Sequence, residues 1–150
     1  VENGTHDIEI DMVMNVSLLK SRRYEDVKRD IASVVKAADG KTVKVIIEVP
    51  LLTREEVVIA SLISEIAGAQ FVKTSTGFKG FAGWRPSTVE DVKLIKSVVG
   101  DKLKVKAAGG IQTLEQTLAL IEAGASRIGT SSGISIVETY RKFKKAEIKN

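Results

Sequence analysis

The sequence predicts an α/β protein whose parallel sheet curls toward a barrel. Three observations carry this. Five strand-like segments alternate with segments of helical periodicity, and crossovers of that length join parallel neighbours. The strands put charged residues on one face and mostly aliphatic residues on the other. Glycines gather where strands end and helices begin.

The first strand spans Ile8 to Asn15, with Glu9, Asp11, Val13 and Asn15 on one face and Ile10, Met12 and Met14 on the other. Tyr24, Val27, Ile31, Val34 and Val35 then recur at helical spacing, and Ala38-Asp39-Gly40 stops that helix. The second strand, Val43 to Val49, places Lys44, Ile46 and Glu48 opposite Val43, Val45 and Ile47, and Pro50 closes it. Thr53 caps the next helix, with Glu55 and Glu56 in its first turn and Gly68 as its stop. The third strand, Phe71 to Thr76, sets Lys73 and Ser75 opposite Val72 and Thr74. A glycine-rich, aromatic loop from Gly77 to Pro86 follows, and Ser87 or Thr88 caps the helix after it. The fourth strand, Leu103 to Ala108, sets Lys104 and Lys106 opposite Val105 and ends at Gly109-Gly110. Thr113 caps a short helix that stops at Gly124. Residues 127–133 give the fifth strand and turn, before a last helix.

Helices must cover an apolar face, so the charged faces of neighbouring strands converge on a shared interior. An open doubly wound sheet buries both faces under helices and tolerates such charges poorly. A barrel lumen is normally packed with aliphatic side chains. Charges there are costly unless they pair and serve a reaction.

Composition narrows the chemistry. The 150 residues suit one domain, and no internal shift marks a boundary. There is no cysteine, which excludes disulfides and thiolate chemistry, and His6 is the lone histidine, expected at the surface before the first strand. With one histidine, histidine-pair metal motifs are excluded too. No apolar run reaches membrane-spanning length and no signal-peptide pattern opens the chain, so the expected setting is the cytoplasm. Of the net charge of +4, all resides in residues 141–150, where five basic residues face Glu147 alone. A nucleic-acid binder spreads its basic residues over a folded face. The stretch from 139 to 150 is therefore read as a solvated basic helix end, with neither nucleic acid nor membrane as partner.

Lys73 is the organising residue. A lysine inside a buried strand is uncommon. One resolution open to a buried lysine is loss of its proton, leaving an amine able to form a Schiff base with a carbonyl. The other is snorkelling to the strand end or pairing with an acid. Amides and hydroxyls at helix starts bind phosphate, and barrels often place such a site after their last two strands, where Gly109-Gly110 and Ser131-Ser132 lie. Gly77 stands four residues, roughly 13 Å of strand, beyond Lys73. A small sugar phosphate fits that gap.

The segments IEIDMVMN, VKVIIE, FVKTSTGF, VKAAGGIQT and RIGTSSG, in this order, resemble class I deoxyribose-phosphate aldolases. The resemblance runs to about Val137. It implies a (βα)8 TIM-type barrel and the reversible, metal-free aldol cleavage of 2-deoxy-D-ribose 5-phosphate to acetaldehyde and D-glyceraldehyde 3-phosphate. Carried over by position, Lys73 is the Schiff-base lysine and Lys106 the neighbouring cation that favours its neutral form. Asp11 takes part in proton transfer with an ordered water, and Lys44 orients the network. Thr76, Gly77, Gly109, Gly110, Gly129, Ser131 and Ser132 hold the phosphate end of the substrate. Pairing of Lys44 and Lys106 with Asp11 or Glu48 for stability alone is the competing reading.

The chain departs from that family in three ways. Only five of eight βα units are present, the C-terminal part of the barrel. A five-stranded sheet has two open edges, so a missing segment, a partner or a homo-oligomer (dimer or tetramer) is expected to cover them. Val1 is not an initiator methionine, so a truncated or processed chain is expected. The loop from Phe78 to Pro86 is longer and more aromatic than the usual link, and Tyr140 falls too early to match a terminal proton-transfer tyrosine. Two alternatives stay open: another Schiff-base sugar-phosphate aldolase, or an incomplete barrel that binds phosphate ligands or a partner chain without turnover.

Overall fold

The computed structural model describes residues 8–147 and contains five strands and six helices. In chain order these are β1 (Ile10–Val13), α1 (Val16–Lys20), α2 (Tyr24–Ala37), β2 (Val43–Ile46), α3 (Arg54–Ile66), β3 (Phe71–Lys73), α4 (Val89–Val99), β4 (Lys104–Ala108), α5 (Leu114–Glu122), β5 (Arg127–Gly129) and α6 (Gly133–Glu147). His6 and Lys149 lie outside the described residues.

Helix starts follow local chemistry. Thr53, Thr88 and Thr113 each accept from the amide three residues on, and Glu56, Asp91 and Gln116 answer with the reciprocal bond to the cap amide. Thr88, not Ser87, is therefore the cap of α4. Asn15 likewise caps α1, accepting from the Leu18 amide. That helix lies where the periodicity suggested only the tail of a strand and a link. The strands are shorter than their alternating patterns. β2 stops at Ile46 because Glu48 turns into the left-handed region (φ 55°) to start a single 3-10 turn, Val49–Leu51. β3 stops at Lys73, and beyond it the Thr74 hydroxyl binds Ala108, donating to its carbonyl oxygen and accepting from its amide.

All strands are parallel and their spatial order is β1-β2-β3-β4-β5, the order of the chain. A doubly wound sheet reverses direction at a switch point; this one never does. Every crossover steps the same way, so the helices cover a single face. There Val45, Val72, Val105 and Ala107 pack with Val27 and Ile31 of α2, Val57 and Ala60 of α3, and Val92 and Ile95 of α4 in one buried cluster.

The opposite face is concave. A flat sheet would hold β1 and β4, three strand spacings apart, about 14 Å from each other. Asp11 on β1 nevertheless meets Lys106 on β4 at 2.8 Å. Glu9, beside β1, reaches Arg127 of β5 across the same face. The five βα units thus form part of a barrel, with the charged face inside.

Candidate active site

Four successive strands deliver one side chain each to a shared point. Registers pair Asp11 with Lys44 and Lys73 with Lys106. Lys44 meets Oδ1 of Asp11 at 2.8 Å, while Lys73 and Lys106 both meet Oδ2 at 2.8 Å. The two amines on Oδ2 are therefore at most twice that distance apart. Lys44 is buried and also binds Glu9 at 2.9 Å, and Glu9 continues the network to Arg127. All four sequence-predicted catalytic residues, Lys73, Lys106, Asp11 and Lys44, come together here.

Electrostatics binds the group. Burial acts to raise the Asp11 carboxyl, but hydrogen bonds from Lys106, Lys44 and Lys73 outweigh it and hold the acid well below its ordinary range. Burial likewise disfavours charge on Lys44. Its bonds to Asp11 and Glu9 win and hold it above the usual lysine value. Glu9 is lowered by its bonds to Lys44 and Arg127.

Toward the C-terminal strand ends the lumen opens into a cleft of about 280 Å³, with Lys73 and Lys106 on its wall. Thr76, Gly77, Gly109, Gly110, Gly129 and Ser131 line it as well. Gly109 is confined to glycine twice over: its φ is +99°, and a Cβ would stand 3.2 Å from the Ser75 hydroxyl. Ser132 differs from its expected place. Its amide donates to Thr130 Oγ1 at 2.9 Å, its carbonyl accepts from Ile136 in the first turn of α6, and the lining ends at Ser131. It serves the start of that helix. The Thr76 amide is also committed, to the Glu48 carboxylate at 3.2 Å. Glu48, buried and accepting from Ser75 Oγ at 2.5 Å, ties down the end of the lysine-bearing strand and makes no ion pair with Lys44 or Lys106.

Sequence reasoning missed Arg127, Lys79 and Thr130 as site residues. Arg127 opens a strand two residues before Gly129, so strand alternation places it on the inner face. Lys79 and Thr130 sit in loops, where no periodicity points a side chain.

The arrangement offers three amines at one carboxylate, two of them on the same oxygen, beside an open cleft lined by glycines and hydroxyls. The model of the DeoC/LacD family aldolases matches residues 3–139. The chain belongs to that family. A deoxyribose-phosphate aldolase of Staphylococcus epidermidis is 55% identical over 138 residues, which cover 92% of this chain and 60% of the relative. Among solved structures, the aldolase QR15 superposes with a TM-score of 0.83 at 47% identity, over 89% of this chain and 59% of that one. A deoxyribose phosphate aldolase from Aeropyrum pernix, described as a tetramer, gives 0.78 at 33% identity over 90% and 56%. The chain thus spans about three fifths of the length of the DeoC/LacD relatives it matches. Among the described residues, no helix is long and apolar enough to cross a membrane.

Proposed function

We propose that this chain carries the catalytic apparatus of a deoxyribose-phosphate aldolase, cleaving 2-deoxy-D-ribose 5-phosphate reversibly to acetaldehyde and D-glyceraldehyde 3-phosphate. The observation that supports it most is the sharing of Asp11 Oδ2 by Lys73 and Lys106 at the edge of the cleft. In this reading the free amine of Lys73 adds to the sugar aldehyde and water leaves, giving an iminium ion. A base, Asp11 acting through a water, takes the proton of the C3 hydroxyl. The C2–C3 bond breaks, its electron pair reduces the iminium to an enamine, and D-glyceraldehyde 3-phosphate departs. Protonation at C2 and hydrolysis then release acetaldehyde and the amine. Lys106 shares Asp11 Oδ2 with Lys73 and keeps a second positive charge beside the nucleophile. Lys44 fixes the other oxygen of Asp11. Thr76, Gly77, Gly109, Gly110, Gly129 and Ser131 are placed at the phosphate end.

A phosphorylated sugar does not cross a bilayer unaided, so this reading places the enzyme in the cytoplasm. β1 and β5 each pair on one side only, and the tetramer described for the Aeropyrum pernix relative supports a homo-oligomer. We propose one domain, of which residues 139–147 form the basic end of α6.

Borohydride reduction in the presence of acetaldehyde, followed by peptide mapping, tests the proposal. The expected result is a single ethyl label on Lys73. Label on another lysine, or none, overturns it. A chain that binds phosphate but takes no label is the incomplete barrel instead, a reading favoured by the open edges of β1 and β5.

A further inference from the structure

The cleft is lined by three lysines, Lys73, Lys79 and Lys106, and by no carboxylate. Two of these charges are answered at its floor, where Lys73 and Lys106 share Asp11. Lys79 is not answered. Its ammonium lies 5.0 Å from the centre of the Trp84 ring, and among the described residues no carboxylate pairs with it.

The loop that carries Lys79 and Trp84 is pinned at both feet, on either side of the glycine wall. At one foot, Gly77 packs against Gly109: a Cβ on Gly77 would stand 3.7 Å from the Gly109 Cα. At the other, Pro86 presses on Gly110, where an added Cβ would stand 2.7 Å from the proline ring. Arg85 fastens this second foot with two bonds to Asp91, at 2.5 and 2.8 Å, within the capping box of α4. Between the feet the Phe78 ring lies over Gly80, leaving no room there for a side chain. A loop anchored in this way holds its lysine on the wall of the cleft, together with Gly77, Gly109 and Gly110.

We propose that Lys79 is the residue that selects a phosphorylated substrate, resting over Trp84 until a phosphate monoester arrives and then pairing with it. This rests on the aldolase reading for the identity of the substrate. The exchange is favourable in kind: over the half-buried ring the cation has only a cation–π contact, whereas an ammonium on a phosphate oxygen makes a charge-assisted hydrogen bond. The amides of Gly109 and Gly110, which line the cleft, supply the remaining donors, and Lys79 supplies the charge that amides lack. The indole Nε1 of Trp84 is buried without a hydrogen-bond partner, so the ring is held by packing and by this cation.

Trp84 is the sole tryptophan of the chain, so its emission reports this loop alone. Titration of the full chain with inorganic phosphate, and separately with D-glyceraldehyde 3-phosphate, should change that emission saturably as the ammonium leaves the ring. Lys79→Gln should weaken both ligands about tenfold, and Lys79→Arg should restore most of the loss. Trapping of acetaldehyde, which carries no phosphate, on Lys73 reads the aldolase chemistry separately in each of the three proteins. Unchanged phosphate affinity in Lys79→Gln, or no phosphate binding by the parent, overturns the proposal. Loss of trapping with a Lys79-dependent phosphate titration would overturn the aldolase chemistry and leave this site standing.

Discussion

Val72 and Lys73 are neighbours on one short strand and belong to different worlds. Val72 points out toward the helices and is fully buried among aliphatic side chains. Lys73 points in and finds a carboxylate. The same division runs through the sheet: Val45, Val105 and Ala107 outside, and Lys44, Lys106 and Asp11 inside. The outer face is held by apolar area, which is non-directional and tolerant of repacking. The inner face is held by pairing, which fails if one partner leaves. Four cations, Lys44, Lys73, Lys106 and Arg127, surround two acids, Glu9 and Asp11. The inner face therefore carries a surplus of positive charge. Apolar packing is concentrated on one face and ionisable side chains on the other.

That division breaks most visibly when one residue is cut from each face. Ile47 is fully buried in the outer cluster and donates its amide to the Lys73 carbonyl at 3.0 Å. Ile47→Ala should cost about 2–5 kcal/mol in denaturant unfolding. Lys73→Leu should leave the unfolding midpoint nearly unmoved, since Asp11 keeps Lys44 and Lys106, yet abolish aldehyde trapping. A Lys73→Leu protein as unstable as Ile47→Ala would show that the inner face carries folding after all.

Asp11→Asn probes the pairing directly. It removes the carboxylate that three lysines share and leaves buried Lys44 with Glu9 alone. Breaking a fully buried pair costs about 3–5 kcal/mol. Asp11 is 29% exposed and Glu9 remains, so about 2 kcal/mol is expected. The pH dependence sharpens this. Asp11 is depressed below its ordinary value of 3.8, so its contribution is present above that value and is lost as pH falls through the folded one. Lys44 is raised above 10.5, so its contribution is complete below that value and is lost as pH rises through the folded one. The network should therefore contribute evenly across the neutral range. Urea midpoints followed from neutral pH into acid should fall less steeply in Asp11→Asn than in the parent, with Glu9, Glu56 and Asp91, also depressed, supplying the remaining slope. Equal slopes would remove Asp11 from the account.

How far the sequence revealed this face depended on regularity. Alternation placed Asp11, Lys44, Lys73 and Lys106 on one side because a strand's period of two leaves no choice once the opposite side is aliphatic. Thr53 and Thr113 were legible as caps because each opens a helical pattern, whereas Thr88 stood level with Ser87 until its reciprocal bonds with Asp91 separated them. The shared oxygen of Asp11 was not legible, since it depends on how strongly the sheet curls. Strand ends were overestimated for a similar reason. Glu48 continues an alternating pattern in sequence, but its carboxylate is needed by Ser75 and the Thr76 amide, and the backbone turns left-handed to supply it. Ser132 looked equivalent to Ser131 because the two are adjacent and alike. Only the Thr130 hydroxyl, which takes the Ser132 amide, separates them.

The smallest effect should come from adding one methyl group where the two faces meet. Gly129 ends β5 beside Ala108 and the stem of Lys106, and a Cβ built on it would stand 2.9 Å from Ala108 Cβ and 3.3 Å from Lys106 Cε. No positive φ is involved, so the requirement for glycine is steric; the lysine stem can yield, whereas Ala108 Cβ moves only with the β4 backbone. Gly129→Ala should therefore cost about 1–2 kcal/mol of stability, within the usual range of overpacking. Its cost to the site should be larger in proportion, because Lys106 can yield only by moving its amine relative to Asp11 Oδ2. Slower acetaldehyde trapping on Lys73, with an unfolding midpoint modestly below the parent's, is the expected result. Trapping at the parental rate would mean that Ala108 alone absorbs the methyl group and that the position of Lys106 is set by Asp11, independently of the wall behind it.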